Sequence, residues 1–190
     1  MWSLRCTRVR SRSSALADTE KAMKLLDKFL NTPGPGVHCI AGPSGSGKLR
    51  AATNAAQKRG FQAIIFDRAL EKKLNYQVFG MAALAPEGGV KPTLHTICGA
   101  ETETNVAALK KLPAKILCIA NDASNLRRAG VTIDYMKRPT PQEMTRTLYL
   151  DEGWNIDKAT RLSKLACGDW RRLWALDRLI TAWGGRGGSL

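Results

Sequence analysis

The sequence predicts an α/β fold, in which helices cover both faces of a mainly parallel sheet and a small helical part follows the sheet. Three observations predict it. Short apolar strand patterns alternate with helical patterns over most of the chain, a glycine-rich loop separates the first strand from the next helix, and no strand pattern appears after Pro141. Alternating strands and helices favour parallel sheets, because each helix returns the chain to the starting end of the sheet.

Five short apolar runs are the candidate strands of this sheet. They occupy residues 37–41, 61–66, 94–98 and 115–120, with 131–136 as an edge strand. Apolar residues at helical spacing predict helices at 16–31, 49–60, 68–74 and 105–112. After the predicted helix at 68–74, a loop containing Gly and Pro is expected to continue to about residue 91. Together these elements predict a three-layer αβα core.

The second part of the chain is predicted to be a helical lid. Three amphipathic segments follow one another there, starting near Gln142, Asp157 and Asp169. The predicted organisation is a basic N-terminal segment (1–15), the core (16–139), the lid (140–183) and a flexible glycine-rich tail (184–190).

The strongly basic composition points to a polyanionic partner. Lys and Arg number 30 against 16 acidic residues, which gives a formal charge of +14. DNA is the expected partner, with RNA, an acidic protein, a basic solubility surface and electrostatic attraction to membranes as alternatives. No apolar run approaches the roughly 20 residues of a membrane span, so the sequence predicts no transmembrane helix.

The cysteines and the N-terminus bear on location. Five cysteines are scattered without a Cys-x-x-Cys pair, which is typical of a reducing intracellular compartment and gives no zinc motif. The first residues are rich in Arg and Ser and contain no acid before Asp18, as in organelle transit peptides. A basic arm on nucleic acid and a plain disordered end are the alternatives for this segment.

A phosphate-binding loop is the main functional motif. The run from Gly42 to Lys48 fits Gly-x-x-x-x-Gly-Lys and stands between a predicted strand and a predicted helix. Glycines let the backbone wrap around phosphates and aim its N–H groups inward, and the lysine adds a full positive charge. ATP is therefore the expected cofactor. The candidate binding residues are Gly42, Pro43, Ser44, Gly45, Ser46, Gly47, Lys48 and Leu49.

Leu49 breaks the rule of this motif. The Ser or Thr hydroxyl that normally follows the lysine coordinates Mg²⁺, and leucine has no oxygen to offer. Phosphate binding through N–H groups and Lys48 is expected to persist, whereas metal-assisted hydrolysis is expected to be impaired. The residues of a Mg²⁺ site stay unassigned.

Several further motifs resemble those of clamp-loader ATPases of the AAA+ superfamily, most closely the large subunit of replication factor C. An apolar strand ends in Asn121-Asp122, the next strand leads to Lys137-Arg138-Pro139, and the last lid helix opens with Gly168-Asp169-Trp170-Arg171. The segment FQAIIFDRA is also similar to the second strand of the family. The resemblance covers about residues 17–182 and is weak between 67 and 93.

The resemblance implies two catalytic residues. Asn121 would be the polar sensor near the γ-phosphate and the attacking water, and Arg171 would be the lid arginine that reaches back to the phosphates. The residues themselves agree with these roles, because ligands of open α/β sheets bind at the carboxyl ends of the strands and an arginine at a helix start can reach phosphate oxygens. Other clamp-loader subunits or a sliding clamp would be partners at a site of DNA replication.

The chain also departs from this family. The strand LHTIC is not followed by the family's adjacent Asp and Glu, and Glu101 and Glu103 are displaced from those positions. No Ser-Arg-Cys arginine-finger segment is present, and the sequence ends at Leu190 before any collar, which puts ring assembly in doubt.

Three functions follow from these features. The first is a clamp-loader-like protein that binds ATP as a conformational ligand, with weak or absent hydrolysis. The second is an active ATPase that uses Glu101 or Glu103 with Mg²⁺. The third is a DNA-binding or scaffolding protein with a vestigial nucleotide site, based on clusters such as Lys110-Lys111 and Arg127-Arg128.

Overall fold

Five parallel strands form the central sheet of the computed structural model, which describes residues 25–68, 92–102 and 105–184. The strand order is β2-β3-β4-β1-β5, and every neighbouring pair is parallel. The strands are β1 (Gly36–Ala41), β2 (Gln62–Asp67), β3 (Thr93–Cys98), β4 (Lys115–Ala120) and β5 (Thr132–Tyr135). The predicted α/β class is confirmed, and β5 lies at an edge of the sheet as expected.

Seven helical segments accompany the strands in the described ranges. They are α1 (25–31, its described part), α2 (Lys48–Lys58), α3 (Val106–Lys111), α4 (Ser124–Arg128), α5 (Pro141–Asp151), α6 (Ile156–Ala166) and α7 (Trp170–Gly184). A single 3₁₀ turn, Ala100–Thr102, follows β3. Helix α4 was not predicted, because its five residues bury only Leu126 and show no helical period.

Several expectations fall outside the described residues. They concern the basic N-terminal segment, the start of the first helix, the helix at 68–74 with the loop after it, Glu103, and the tail beyond residue 184. These expectations stay predictions, as do the proposed domain boundaries.

The two faces of the sheet carry separate cores. On one face, Ile40 and Leu117 pack against Leu26 of α1 and the alanines of α2. On the other face, Cys39 and Cys118 pack with Leu109 of α3 and with α4. Successive strand residues point to opposite faces, so strands that are apolar throughout need helices on both sides. The result is three layers, with helices above and below the sheet.

The helical lid has its own core, which includes Met144, Leu148, Leu162 and Leu173 and lies against three tryptophans. Its first helix, α5, begins at a capping box. The Thr140 hydroxyl accepts a hydrogen bond from the Glu143 N–H, and the Glu143 carboxylate accepts one from the Thr140 N–H. Such reciprocal bonds satisfy two N–H groups at a helix start. No helix of the described residues is long and apolar enough to cross a membrane.

Candidate nucleotide-binding site

The glycine-rich loop connects the carboxyl end of β1 to the start of α2. Three of its glycines have positive φ, at 147° for Gly42, 78° for Gly45 and 92° for Gly47. A Cβ on Gly42 would lie 2.1 Å from the carbonyl oxygen of Met136, and one on Gly45 would lie 2.0 Å from a carboxylate oxygen of Asp169. Both the backbone conformation and the neighbouring atoms therefore require glycine here.

The start of α2 completes an anion-binding geometry. No described side chain caps this helix, whose first residue is Lys48. The free N–H groups of a first turn, together with the helix dipole, favour a negatively charged ligand. The loop and helix start thus have the backbone form that phosphate binding needs.

Lys48 is buried at the base of the loop. Its Nζ donates to the carbonyl oxygens of Gly42 at 2.6 Å and Pro43 at 2.9 Å, and to Oδ1 of Asn121 at 3.3 Å. Burial lowers the pKa of Lys48 below its usual value, and the negative charge of Glu101 acts in the opposite direction. Three oxygen atoms therefore hold the Lys48 ammonium at the base of the loop.

Asn121 follows the carboxyl end of β4, where the sequence places a polar residue. The adjacent pairing of β4 with β1 brings it next to the loop, although it is 73 residues from Lys48 in the chain. Glu101, on the turn after β3, contacts Asn121 from the other side. The structure therefore brings Lys48, Asn121 and Glu101 together in one row.

The lid contacts the loop through the start of α7. The N–H of Trp170 donates to the carbonyl oxygen of Gly45 at 2.9 Å, and the Arg171 guanidinium donates to the hydroxyl of Ser44. Asp169 caps α7 by accepting from the N–H of Arg171 at 2.9 Å. The lid arginine expected from the sequence thus lies beside the phosphate loop, where its Nε also lies 3.8 Å from a carboxylate oxygen of Asp169.

Similar solved structures exist, whereas no protein-family model and no curated protein sequence matches the chain. A structure of Drosophila ORC bound to DNA aligns with a TM-score of 0.52 at 12% identity, over 93% of this chain and 57% of that one. Thermotoga maritima RuvB, described as a Holliday junction branch migration motor, aligns with a TM-score of 0.55 at 14% identity, over 92% and 64%. A P216G mutant of the same RuvB gives 0.56, also at 14% identity, over 90% and 64%.

The protein has the fold of these solved structures, a parallel α/β core followed by helices. The chain spans 57–64% of the length of these three structures. At such low identity the likeness extends to the fold, and the individual residues have to be judged by their own geometry.

The residues at the expected metal-binding positions differ from the usual phosphate-loop motif. Leu49, 38% exposed beside the loop, offers no oxygen. β3 ends in Cys98, whose pKa is raised by burial and by the nearby carboxylates of Asp67 and Glu101, so this thiol stays protonated. No group of three or more His, Cys, Asp or Glu side chains within the described ranges is placed to hold a metal ion. These residues do not fit a protein-held Mg²⁺.

A cavity of about 440 Å³ opens beside the loop, between α2 and α5. Its lining includes Ser46 and Gly47 of the loop and Arg50, Leu150 and Trp170 of the three nearby helices. Glu143 and Asp151 also line the cavity, so apolar, aromatic, basic and acidic groups meet beside the loop.

The contacts of Arg50 and Trp170 were not predicted from the sequence. Arg50 pairs with Glu152, 102 residues later in the chain, and its guanidinium lies 5.6 Å from the centre of the Trp170 ring. No local pattern marks such contacts, since they depend on how the lid docks onto α2. The hydrogen bonds between Glu101 and Asn121 were also not predicted, because they depend on the pairing of β3 with β4 in the sheet.

Proposed function

We propose that the protein is a clamp-loader-like ATP-binding protein that acts on DNA and hydrolyses ATP weakly or not at all. The observation that carries the proposal is the convergence on one glycine loop of Lys48 and Asn121 from the core and Arg171 from the lid. Lys48 begins helix α2 and Asn121 follows strand β4, so both belong to the core. Arg171 belongs to the lid helix α7. A phosphate chain in the loop would contact both parts of the molecule.

ATP would act as a conformational ligand in this scheme. A ligand shifts an equilibrium between two arrangements only if it binds one of them better. Lys48 and the N–H groups of the loop are present at any lid angle, whereas Arg171 reaches the phosphates only when α7 lies over the loop. Binding therefore favours the closed lid without any need for turnover.

Weak hydrolysis is inferred from the residues that the site lacks. Residue 49 is leucine, which lacks the expected hydroxyl. β3 ends in Cys98, where a carboxylate residue would be expected. Mg²⁺ normally bridges the phosphates and neutralises charge as the γ-phosphate leaves. Phosphate binding by backbone N–H groups and a lysine does not depend on those two positions.

Two observations support action on DNA. The chain has a formal charge of +14, and the similar structures are described as ORC bound to DNA and as a Holliday junction branch migration motor. Partnership with other clamp-loader subunits or a sliding clamp follows from the resemblance of the sequence motifs. Duplex binding that depends on phosphate contacts should weaken steeply with salt, because released counterions compete for the DNA. Salt-independent binding would contradict the basic surface as its cause.

The deciding experiment is equilibrium binding of labelled ATP with and without Mg²⁺, while phosphate release is followed in the same samples. We expect binding that changes little with Mg²⁺ and no release above background. Lys48→Ala is the control and should bind markedly less ATP, because the other loop residues carry no formal charge.

Two other results would each overturn the proposal. Binding that requires Mg²⁺ and is followed by turnover would indicate an active ATPase that uses other carboxylates. DNA binding without any ATP binding would indicate a vestigial nucleotide site.

A further inference from the structure

Glu101 uses both of its carboxylate oxygens to hold one residue. Oε1 accepts a hydrogen bond from Nδ2 of Asn121 at 3.1 Å, and Oε2 accepts one from the backbone N–H of Asn121 at 3.3 Å. The turn that carries Glu101 is itself held, because the side-chain amide of Asn125 donates to the Glu101 carbonyl oxygen at 3.4 Å. The end of β4 is thus tied to the turn after β3.

The neighbours of Asn121 determine which way its amide points. On one side lies the ammonium of Lys48, which can only donate, and on the other lies the carboxylate of Glu101, which can only accept. Rotating the amide by half a turn would place its NH₂ against the ammonium and its oxygen against the carboxylate. The oxygen Oδ1 must therefore face the loop, and the NH₂ must face Glu101.

This orientation is unfavourable for a terminal phosphate. Phosphate oxygens accept hydrogen bonds, so an amide helps them only through its NH₂ group. In the observed arrangement that group is occupied by Glu101, and the oxygen that faces the loop would repel the negative charge of a phosphate.

We propose that Glu101 is a positioning residue that turns the amide donor of Asn121 away from the phosphate loop, so that the site discriminates little between ATP and ADP. The inference rests on the proposed nucleotide binding and adds to it a determinant of triphosphate against diphosphate preference. Asn121 can donate to a γ-phosphate only after its contact with Glu101 breaks, and breaking that contact offsets the gain.

The test compares the affinities of wild type, Glu101→Ala and Glu101→Gln for labelled ATP and ADP without Mg²⁺. We expect similar affinities for the two nucleotides in the wild type. Glu101→Ala frees the amide, and the ratio of ATP to ADP affinity should rise on the order of tenfold, the typical value of one hydrogen bond to a charged group. Glu101→Gln should give a smaller rise, because its amide oxygen still accepts from Asn121.

Comparing Glu101→Ala with Glu101→Gln separates the effect of the Asn121 amide orientation from the effect of the Glu101 charge. Both lose the same negative charge beside the phosphates, so the difference between them reports the hydrogen bond to Asn121. Asp157→Asn, which removes a charge from the first turn of the lid helix α6, should leave the ratio unchanged. In an Asn121→Ala background, Glu101→Ala and Glu101→Gln should give the same ratio, because no amide remains to be turned.

The inference is overturned if Glu101→Ala binds both nucleotides with the wild-type ratio, or if the two Glu101 variants still differ when Asn121 is alanine. Failure of the wild type to bind either nucleotide would overturn the proposed function as well, so the two failures are distinguishable. The side-chain amide NMR signals of Asn121 give a second readout, and they should shift in Glu101→Gln. Unshifted signals would contradict the contact itself.

Discussion

The surroundings of Lys48 change the pKa of its side chain. The ammonium is buried against two carbonyl oxygens and one amide oxygen, and desolvation lowers its pKa from the usual 10.5 in spite of the nearby Glu101 carboxylate. A lowered pKa means that the free protein loses this positive charge at a lower pH than an exposed lysine would. Phosphates favour the charged form, so binding and protonation are linked.

The affinity for ATP should therefore fall as the pH rises through the lowered pKa of Lys48, below pH 10.5. It should be constant at lower pH, where the ammonium is already charged. Binding titrations over this range would measure the effect, with Lys48→Ala as the comparison. The variant should bind weakly and lack the wild-type decrease, and an equal decrease in both proteins would assign the effect to another group.

Leu49 allows a second prediction about a single residue. Leu49→Thr restores the hydroxyl of the motif but leaves Cys98 at the end of β3, so the second metal-binding position is still missing. We expect phosphate release by this variant to stay near the wild-type rate at saturating Mg²⁺. Rapid turnover would show that a carboxylate outside these two positions already supplies what the metal needs.

Among the elements, the edge strand β5 is joined to β1 by a buried hydrogen bond between two side chains. Nε2 of His38 lies 2.7 Å from Oδ2 of Asp134, and the two side chains are 3% and 5% exposed. Phe29 of α1 stacks on His38 at 5.2 Å, and the Lys115 ammonium lies 4.8 Å from the same Phe29 ring. One polar pair therefore connects an edge strand, a central strand and a covering helix.

Breaking this pair from one side should be costly. His38→Ala leaves the Asp134 carboxyl group buried without this hydrogen-bond partner, and the free energy of unfolding should fall by about 1–3 kcal/mol. Replacing both residues by leucine should cost less than the single change, since no buried polar group of the pair is then left without its partner. Urea unfolding measures both variants, and Thr132→Ala on the exposed side of β5 is the control. A double variant as unstable as His38→Ala would contradict this explanation.

At the scale of the whole molecule, the lid is fastened to the core through Arg50. This residue of α2 pairs with Glu152 at the end of α5 and lies over the ring of Trp170 at the start of α7. A Cβ on Gly47 would lie 3.1 Å from the Trp170 ring, so the indole rests directly on the loop. Gly168 makes the approach of α7 possible, because a Cβ there would lie 2.5 Å from the carbonyl oxygen of Pro139.

Arg50→Ala should loosen the lid without unfolding either part. The lost contacts are partly exposed, so the expected cost is about 1 kcal/mol. Hydrogen exchange should become faster in the linker at 136–140 and at the start of α7, while the sheet keeps its protection. Arg172→Ala, which changes an exposed arginine of the same helix, is the control. Faster exchange across the sheet as well would mean that Arg50 stabilises the core instead of the lid.

The sequence by itself determined the elements of this protein. All five strands lie within about one residue of their predicted positions, because each is a short apolar run between clear breaks. The glycine loop and the lid helices were likewise predictable, since Gly, Pro and capping residues act on neighbouring positions in the chain. The short helix α4 was missed, because one buried leucine makes no pattern.

Only the tertiary structure decided which side chains meet. Strand order put Asn121 beside Lys48, the turn after β3 put Glu101 against Asn121, and the docking of the lid put Arg171 and Trp170 on the loop. Their catalytic and binding roles stay predictions that the variants above can test. The physical reason for the division is range: local patterns record backbone conformation and burial, whereas these contacts join residues between 20 and 127 positions apart.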